Sequence, residues 1–235
     1  MPDPARPLDV LLLDYNGVIV DDEPIHFAAL RDLLAVERVP LDRAGYDAHL
    51  LGLDDRTGIR EAFRRAGRAL REEDVRALAA RKAAWYAESV RSGLPVVPGV
   101  RRFVLAAATA TPVAVVSGAL RAEILAGLEQ AGIASAVRCV VSAEDVTRGK
   151  PDPEGLRRAI AAVAGGAPIV RAVVLEDSRP GLEAARALGA GCVLLTTACA
   201  GRGTPEADLV WDSFEGHEPL ELEPLMREVS AAARA

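Results

Sequence analysis

The chain has 235 residues, half of them hydrophobic, with aromatics at only 4% and a formal net charge of −6. That length admits one large domain or a core with a smaller insert, and the core must be built mostly from Ala, Leu and Val. The negative balance argues against nucleic acid or an anionic membrane as partner, and no stretch reaches the roughly 20 apolar residues of a membrane span.

In chain order, "VLLLDY" (10–15) reads as a first buried strand. Residues 22–92 then break into helical stretches, "IHFAALRDLLAVE", "DDRTGIREAFRRAG" and "REEDVRALAARKAAWYAESVRSG", with no strand between them. "GLPVVPGV" (93–100), rich in Pro and Gly, is the expected return linker. Four further apolar runs follow: "PVAVVSG" (112–118), "CVVSA" (139–143), "AVVLED" (172–177) and "CVLLTT" (192–197). They alternate with amphipathic stretches that often end in Gly. The closing "REVSAAARA" is expected to form a fraying helix. Such alternation predicts an α/β fold, a parallel sheet core covered by helices, with a helical insert after the first strand. The expected boundaries are 1–21 and 93–235 for the core and 22–92 for the insert.

Ligands of parallel sheets bind at the carboxyl ends of the strands. The polar residues there, in order, are Asp14, Ser117 and Glu176–Asp177, with Lys150 before "PDP". Lys82 and Lys150 are the only lysines in an arginine-rich chain, which singles them out. A carboxylate can attack phosphorus. A hard cation held by carboxylates and phosphate relieves the repulsion, and a lysine and a hydroxyl can hold the remaining phosphoryl oxygens. Cys139, Cys192 and Cys199 form an odd set without CxxC, so no disulfide framework or zinc site is expected.

"DYNGVIVDDEPIH", "VVSGA", "GKPDPE" and "VLEDSRPGLEAA" resemble the four motifs of the haloacid-dehalogenase superfamily, in its small helical-cap, β-phosphoglucomutase-like class. The resemblance spans about residues 9–212 and implies an α/β fold, a Rossmann-like parallel sheet core with an inserted helical cap domain. It implies Mg2+-dependent phosphoryl transfer on a small phosphorylated metabolite, with Asp14 as nucleophile and Asp14, the Asn16 carbonyl, Glu176 and Asp177 around the metal. Ser117, Gly118 and Lys150 take the phosphate-binding positions. On the cap, His26, Lys82 in "ARKAAWY" and Arg56 in "GLDDRTG" take substrate-facing positions, with Asp55 where the mutase carries an arginine. A mobile cap excludes water and selects the substrate. A cytoplasmic location is expected, without a nucleic-acid or membrane partner.

Asn16 departs from the family pattern, which carries an aspartate there as general acid/base. An amide has no proton to exchange near neutral pH, and acid/base catalysis contributes about 10²–10⁴-fold. The metal-binding carbonyl is retained. A slow phosphatase with His26 or Asp22 relaying protons, an enzyme for good leaving groups such as acyl phosphates, a sugar-phosphate mutase and a catalytically weak phosphometabolite-binding protein all remain open.

Overall fold

A computed structural model describes residues 8–51, 53, 55–165, 170–196 and 207–229. The chain divides into two compact units, Met1–Asp21 with Pro95–Ala235, and Asp22–Leu94. In chain order the elements are β1 (Leu8–Leu13), α1 (Glu23–Val36), α2 (Arg43–His49), α3 (Asp55–Arg65), α4 (Glu72–Ser89), α5 (Val100–Ala107), β2 (Val113–Val116), α6 (Arg121–Ala131), β3 (Val137–Val141), α7 (Glu154–Ala164), β4 (Val170–Glu176), α8 (Arg179–Leu188), β5 (Gly191–Leu195), β6 (Leu209–Trp211) and β7 (Arg227–Val229).

The larger unit is an α/β sheet of order β3-β2-β1-β4-β5-β6, all parallel. β1 runs in register with β4 from Leu8↔Val170 to Leu13↔Leu175, and with β2 on its other edge from Leu11↔Val113 to Leu13↔Val115. The chain leaves β1 toward β2 on one side and leaves β4 toward β5 on the other, so a topological switch point opens beyond the ends of β1 and β4, where such folds place their ligands. The central strands are apolar throughout because helices cover both faces. Val10, Leu12, Val116, Leu156, Ile160, Val174 and Leu182 form one core cluster. Phe103, Trp211 and Phe214 form an aromatic cluster, with centroids 5.0–6.2 Å apart.

Two short strands were not legible as apolar runs. β6 has three residues, with Leu209 and Val210 exposed. β7 corrects the expectation of a C-terminal helix over its first residues: Arg227–Val229 pair antiparallel with Val170–Ala172. β5 pairs β4 only from Val173 onward, so the edge of β4 at 170–172 is open and β7 fills it. Residues 230–235 of the expected helix, and Thr197 of the expected fifth strand, lie outside the described residues.

The smaller unit is helical. Leu30, Leu33 and Leu34 of α1 pack with Tyr46, Leu50, Ile59, Phe63 and Leu78, the spacing of an amphipathic helix face. The short α2 is announced by Asp42, whose carboxylate accepts from Gly45 N–H at 2.8 Å.

The loop after β1 is rooted by Tyr15, which is buried and donates its hydroxyl to Glu123 O at 3.1 Å. Its ring lies against Gly127 of α6, where an added Cβ would collide with it. Alanine is the better helix former by about 1 kcal/mol, yet Gly127→Ala should destabilise the protein by about 1–3 kcal/mol through overpacking. Urea unfolding midpoints at equal m-value check the sign.

Candidate active site

Asp14 is the first residue past β1. Its N–H donates to Leu175 O at 2.9 Å, so the last ladder bond to β4 fixes its backbone. The chain then turns sharply. Ile19 and Val20 donate to Tyr15 O at 2.8 and 3.1 Å, and Gly17 N–H donates to Val20 O at 2.7 Å. Gly17 has φ of +71°, and a Cβ there would collide with the Asp177 carboxylate. Only glycine therefore lets the Asn16–Gly17 backbone approach the end of β4 this closely. Asn16 itself forms a parallel bridge with Val20.

Lys150 binds the two strand ends together. Its ammonium pairs with Glu176 Oε1 and lies 3.0 Å from Asp14 Oδ1. Glu176 is fully buried, and its other oxygen accepts from Asp177 N–H at 3.0 Å, Ser178 N–H at 3.1 Å and the Ser178 hydroxyl at 2.9 Å. Ser178 also caps α8, accepting from Gly181 N–H at 3.2 Å. Burial pushes the Asp14 carboxyl up from its ordinary 3.8 to about 6; Lys150 opposes the rise and Glu176 adds to it. For Lys150, burial acts to lower the ammonium's pKa, but Asp14 and Glu176 outweigh it and hold the group above its ordinary value.

Asp14, Glu176 and Asp177 bring carboxylate oxygens within 4.8 Å of one another. With all three ionised, three negative charges face one ammonium, a surplus of two in a poorly hydrated place. Although Lys150 stands close enough to Asp14 Oδ1 for a strong ion pair, no donor among the described residues is aligned on that buried oxygen as a hydrogen bond. An all-oxygen carboxylate set with a deficit of two positive charges and an unaligned acceptor fits a hard divalent cation.

Ser117 follows β2, the other neighbour of β1, and leaves the sheet at the same edge as Asp14. It is buried, donates its N–H to Val141 O at 3.0 Å and accepts from Ala119 N–H at 3.2 Å. Gly118 beside it is exposed, with open space around its Cα. Arg121 is committed elsewhere, to Asp145 at 2.5 Å and Val140 O at 3.1 Å.

Within the helical unit, Val75, Leu78, Lys82 and Tyr86 form the buried face of α4. The Lys82 side chain is only 4% exposed; it pairs with Asp55 and lies 2.8 Å from His26 Nδ1. An ammonium can only donate, so Nδ1 accepts and the ring proton sits on Nε2, directed at Asp22 Oδ2 at 3.2 Å. Asp22, fully buried, also accepts the Tyr86 hydroxyl at 2.5 Å, and the Tyr86 ring stacks on His26 with centroids 4.4 Å apart. Arg56 lies exposed in the first turn of α3. The sequence singled out His26, Lys82, Asp22 and Asp55 separately, but not the contacts that join them. Asp55 is 27 residues from Lys82, and no local pattern ties the two.

The family of haloacid dehalogenase-like hydrolases matches residues 8–189, and the chain belongs to it. A validoxylamine A 7'-phosphate phosphatase of Streptomyces hygroscopicus subsp. limoneus is 35% identical over 42% of this chain, a match that spans 46% of that protein's length. A phosphorylated carbohydrates phosphatase of Thermotoga maritima is 27% identical over 77% of this chain and 82% of its own. A β-phosphoglucomutase from Clostridium difficile shares the fold, with a TM-score of 0.77 and 17% identity over 92% of this chain and 96% of that one.

A carboxylate must be ionised to hold a metal. With the folded Asp14 carboxyl raised to about 6, protonation competes with the cation below that pH and not above it. Divalent-cation affinity measured calorimetrically should therefore hold steady above about pH 6 and weaken up to about tenfold per unit beneath it. Asp177→Asn should weaken it at every pH.

Proposed function

We propose that the chain is a Mg2+-dependent phosphomonoesterase for small phosphorylated metabolites, slowed by the amide at position 16. The observation that carries this reading is the buried Asp14 carboxylate, at the carboxyl end of the central strand, with Lys150 3.0 Å away and two further carboxylates close by. Family membership supports the hydrolase class. The names of two relatives, a validoxylamine A 7'-phosphate phosphatase and a phosphorylated carbohydrates phosphatase, support a small phosphorylated compound, such as a phosphorylated carbohydrate, as substrate.

In this reading an Asp14 carboxylate oxygen attacks phosphorus as the ester O–P bond breaks, leaving the phosphoryl group on Asp14 and an alkoxide in need of a proton. Lys150 neutralises charge on the phosphoryl oxygens. Ser117, through its hydroxyl, and Gly118, through its backbone N–H, hold the group in line. Asp14, Asp177 and the Asn16 carbonyl, with Glu176 behind them, would hold Mg2+, which supplies charge neutralisation for the incoming phosphate. Water then cleaves the acyl phosphate, releases inorganic phosphate and returns Asp14 to its starting form. Both proton transfers lack a donor or acceptor at Asn16, so alkyl phosphates suffer most in the first step and every substrate suffers in the second. His26 and Arg56 are proposed substrate contacts.

Asn16→Asp should raise turnover of alkyl phosphates by about 10²–10⁴-fold. Phosphate release in the presence of Mg2+ reads the effect, on freshly prepared protein, because Asn16–Gly17 is a deamidation-prone pair and converted molecules would raise the parent's baseline. A variant that binds Mg2+ and phosphate yet gains nothing on any substrate would favour a binding protein instead.

A further inference from the structure

Asn16 and Gly17 are a pair whose side-chain amide and following backbone nitrogen can react with each other. Glycine carries no Cβ to hinder the approach. The Gly17 nitrogen, once deprotonated, attacks Asn16 Cγ. A C–N bond forms, the bond to Nδ2 breaks, and Nδ2 leaves as ammonia with the proton. Water then opens the cyclic imide to an aspartate or, at the other carbonyl, to an isoaspartate. No co-reactant besides water is consumed.

The folded turn opposes the first step in two ways. Gly17 is buried and its N–H donates to Val20 O at 2.7 Å, so the proton is covered and the nitrogen is held. Val20 is itself fixed, because it bridges Asn16 on one side and Val96 on the other, and the neighbouring Ile19 O accepts from Val97 N–H at 3.0 Å. The Asp177 carboxylate fills the space beside the Gly17 Cα. A deprotonated nitrogen at Gly17 would form next to that like charge, which disfavours it.

We propose that position 16 is a latent modification site: the closed turn preserves the amide, and opening of the turn frees the Gly17 nitrogen to convert Asn16 to aspartate, which switches on the missing proton transfer. The conversion depends on the turn alone, and its effect on turnover rests on the phosphomonoesterase reading. An isoaspartate lengthens the backbone within the turn, so only the aspartate product gains activity.

The full-length parent, held at mildly alkaline pH with and without denaturing urea, tests this. Peptide mass analysis reads the exchange of amide for acid, and chromatography separates aspartate from isoaspartate. Conversion in the folded chain should be slower by about tenfold or more, because only the open turn reacts. Hydrogen exchange at Gly17 N–H should be slowed at least as much, since it needs the same opening. After removal of urea, phosphate release from fructose 6-phosphate with Mg2+ should rise in proportion to the aspartate fraction, toward the level of Asn16→Asp. If the treated chain does not refold, the same proportionality is read on folded protein held until conversion accumulates. Asn16→Gln, which closes its larger ring far more slowly, should gain nothing under the same treatment. Equal conversion rates in folded and unfolded chain, or an unprotected Gly17 N–H, overturn the proposal and leave the phosphomonoesterase reading standing. Conversion to aspartate without gain, when Asn16→Asp is active, also overturns the proposal alone. An inactive Asn16→Asp overturns the phosphomonoesterase reading and the switch with it.

Discussion

The ammonium of Lys150, held between Asp14 and Glu176, is the interaction on which the candidate site depends. Two carboxylates on adjacent strand ends would otherwise face each other with little water between them. Removing one partner of such a buried set costs on the order of 3–5 kcal/mol, because the remaining charges are left uncompensated. Glu176 has both oxygens engaged, one by Lys150 and the other by Asp177 and by Ser178, the cap of α8. It is thereby an anchor that fixes where the ammonium stands. The ammonium in turn keeps Asp14 close to an opposite charge while burial pushes its carboxyl pKa up. A divalent cation would complete the balance that one lysine cannot.

Asn16 reads differently in this light. An aspartate there would add a fourth carboxylate to a cluster already two positive charges short. The amide preserves the backbone turn and spares the site that further charge, at the proposed expense of proton transfer. Gly17 shows how tightly the turn is drawn, since the space beside its Cα is filled by Asp177. The proposed metal-binding positions and the proposed proton-transfer position are thus separable in this chain, and in that reading only the latter is altered.

Much of this was legible in the sequence because it rests on local patterns. Apolar runs that end on a polar residue marked β1, β2 and β4 and thereby placed Asp14, Ser117 and Glu176–Asp177 at the edge of the sheet. The scarcity of lysine marked Lys150 and Lys82. What escaped was set by tertiary pairing. β7 is a strand only because β5 leaves part of β4 uncovered, and "REV" in isolation carries no such signal. α2 spans seven residues with a single buried side chain, too short for a periodic pattern. The pairing of Lys82 with Asp55 joins two helices through residues 27 apart in the chain, and no local pattern announces it. Asp55 stood out as a departure from the mutase pattern and Lys82 by the scarcity of lysine; their pairing did not.

We propose Asp14 as the nucleophile of a site whose usual proton-transfer position holds the amide of Asn16. Acyl phosphates test it most directly, because their leaving group needs no protonation while hydrolysis of the enzyme adduct still needs an activated water. Incubation with acetyl phosphate and Mg2+, followed by peptide mass analysis under mildly acidic conditions, should find a phosphoryl group accumulated on Asp14 in the parent and only a trace in Asn16→Asp, which turns it over. A parent that binds Mg2+ with its usual affinity and yet acquires no phosphoryl group on Asp14 would contradict the account.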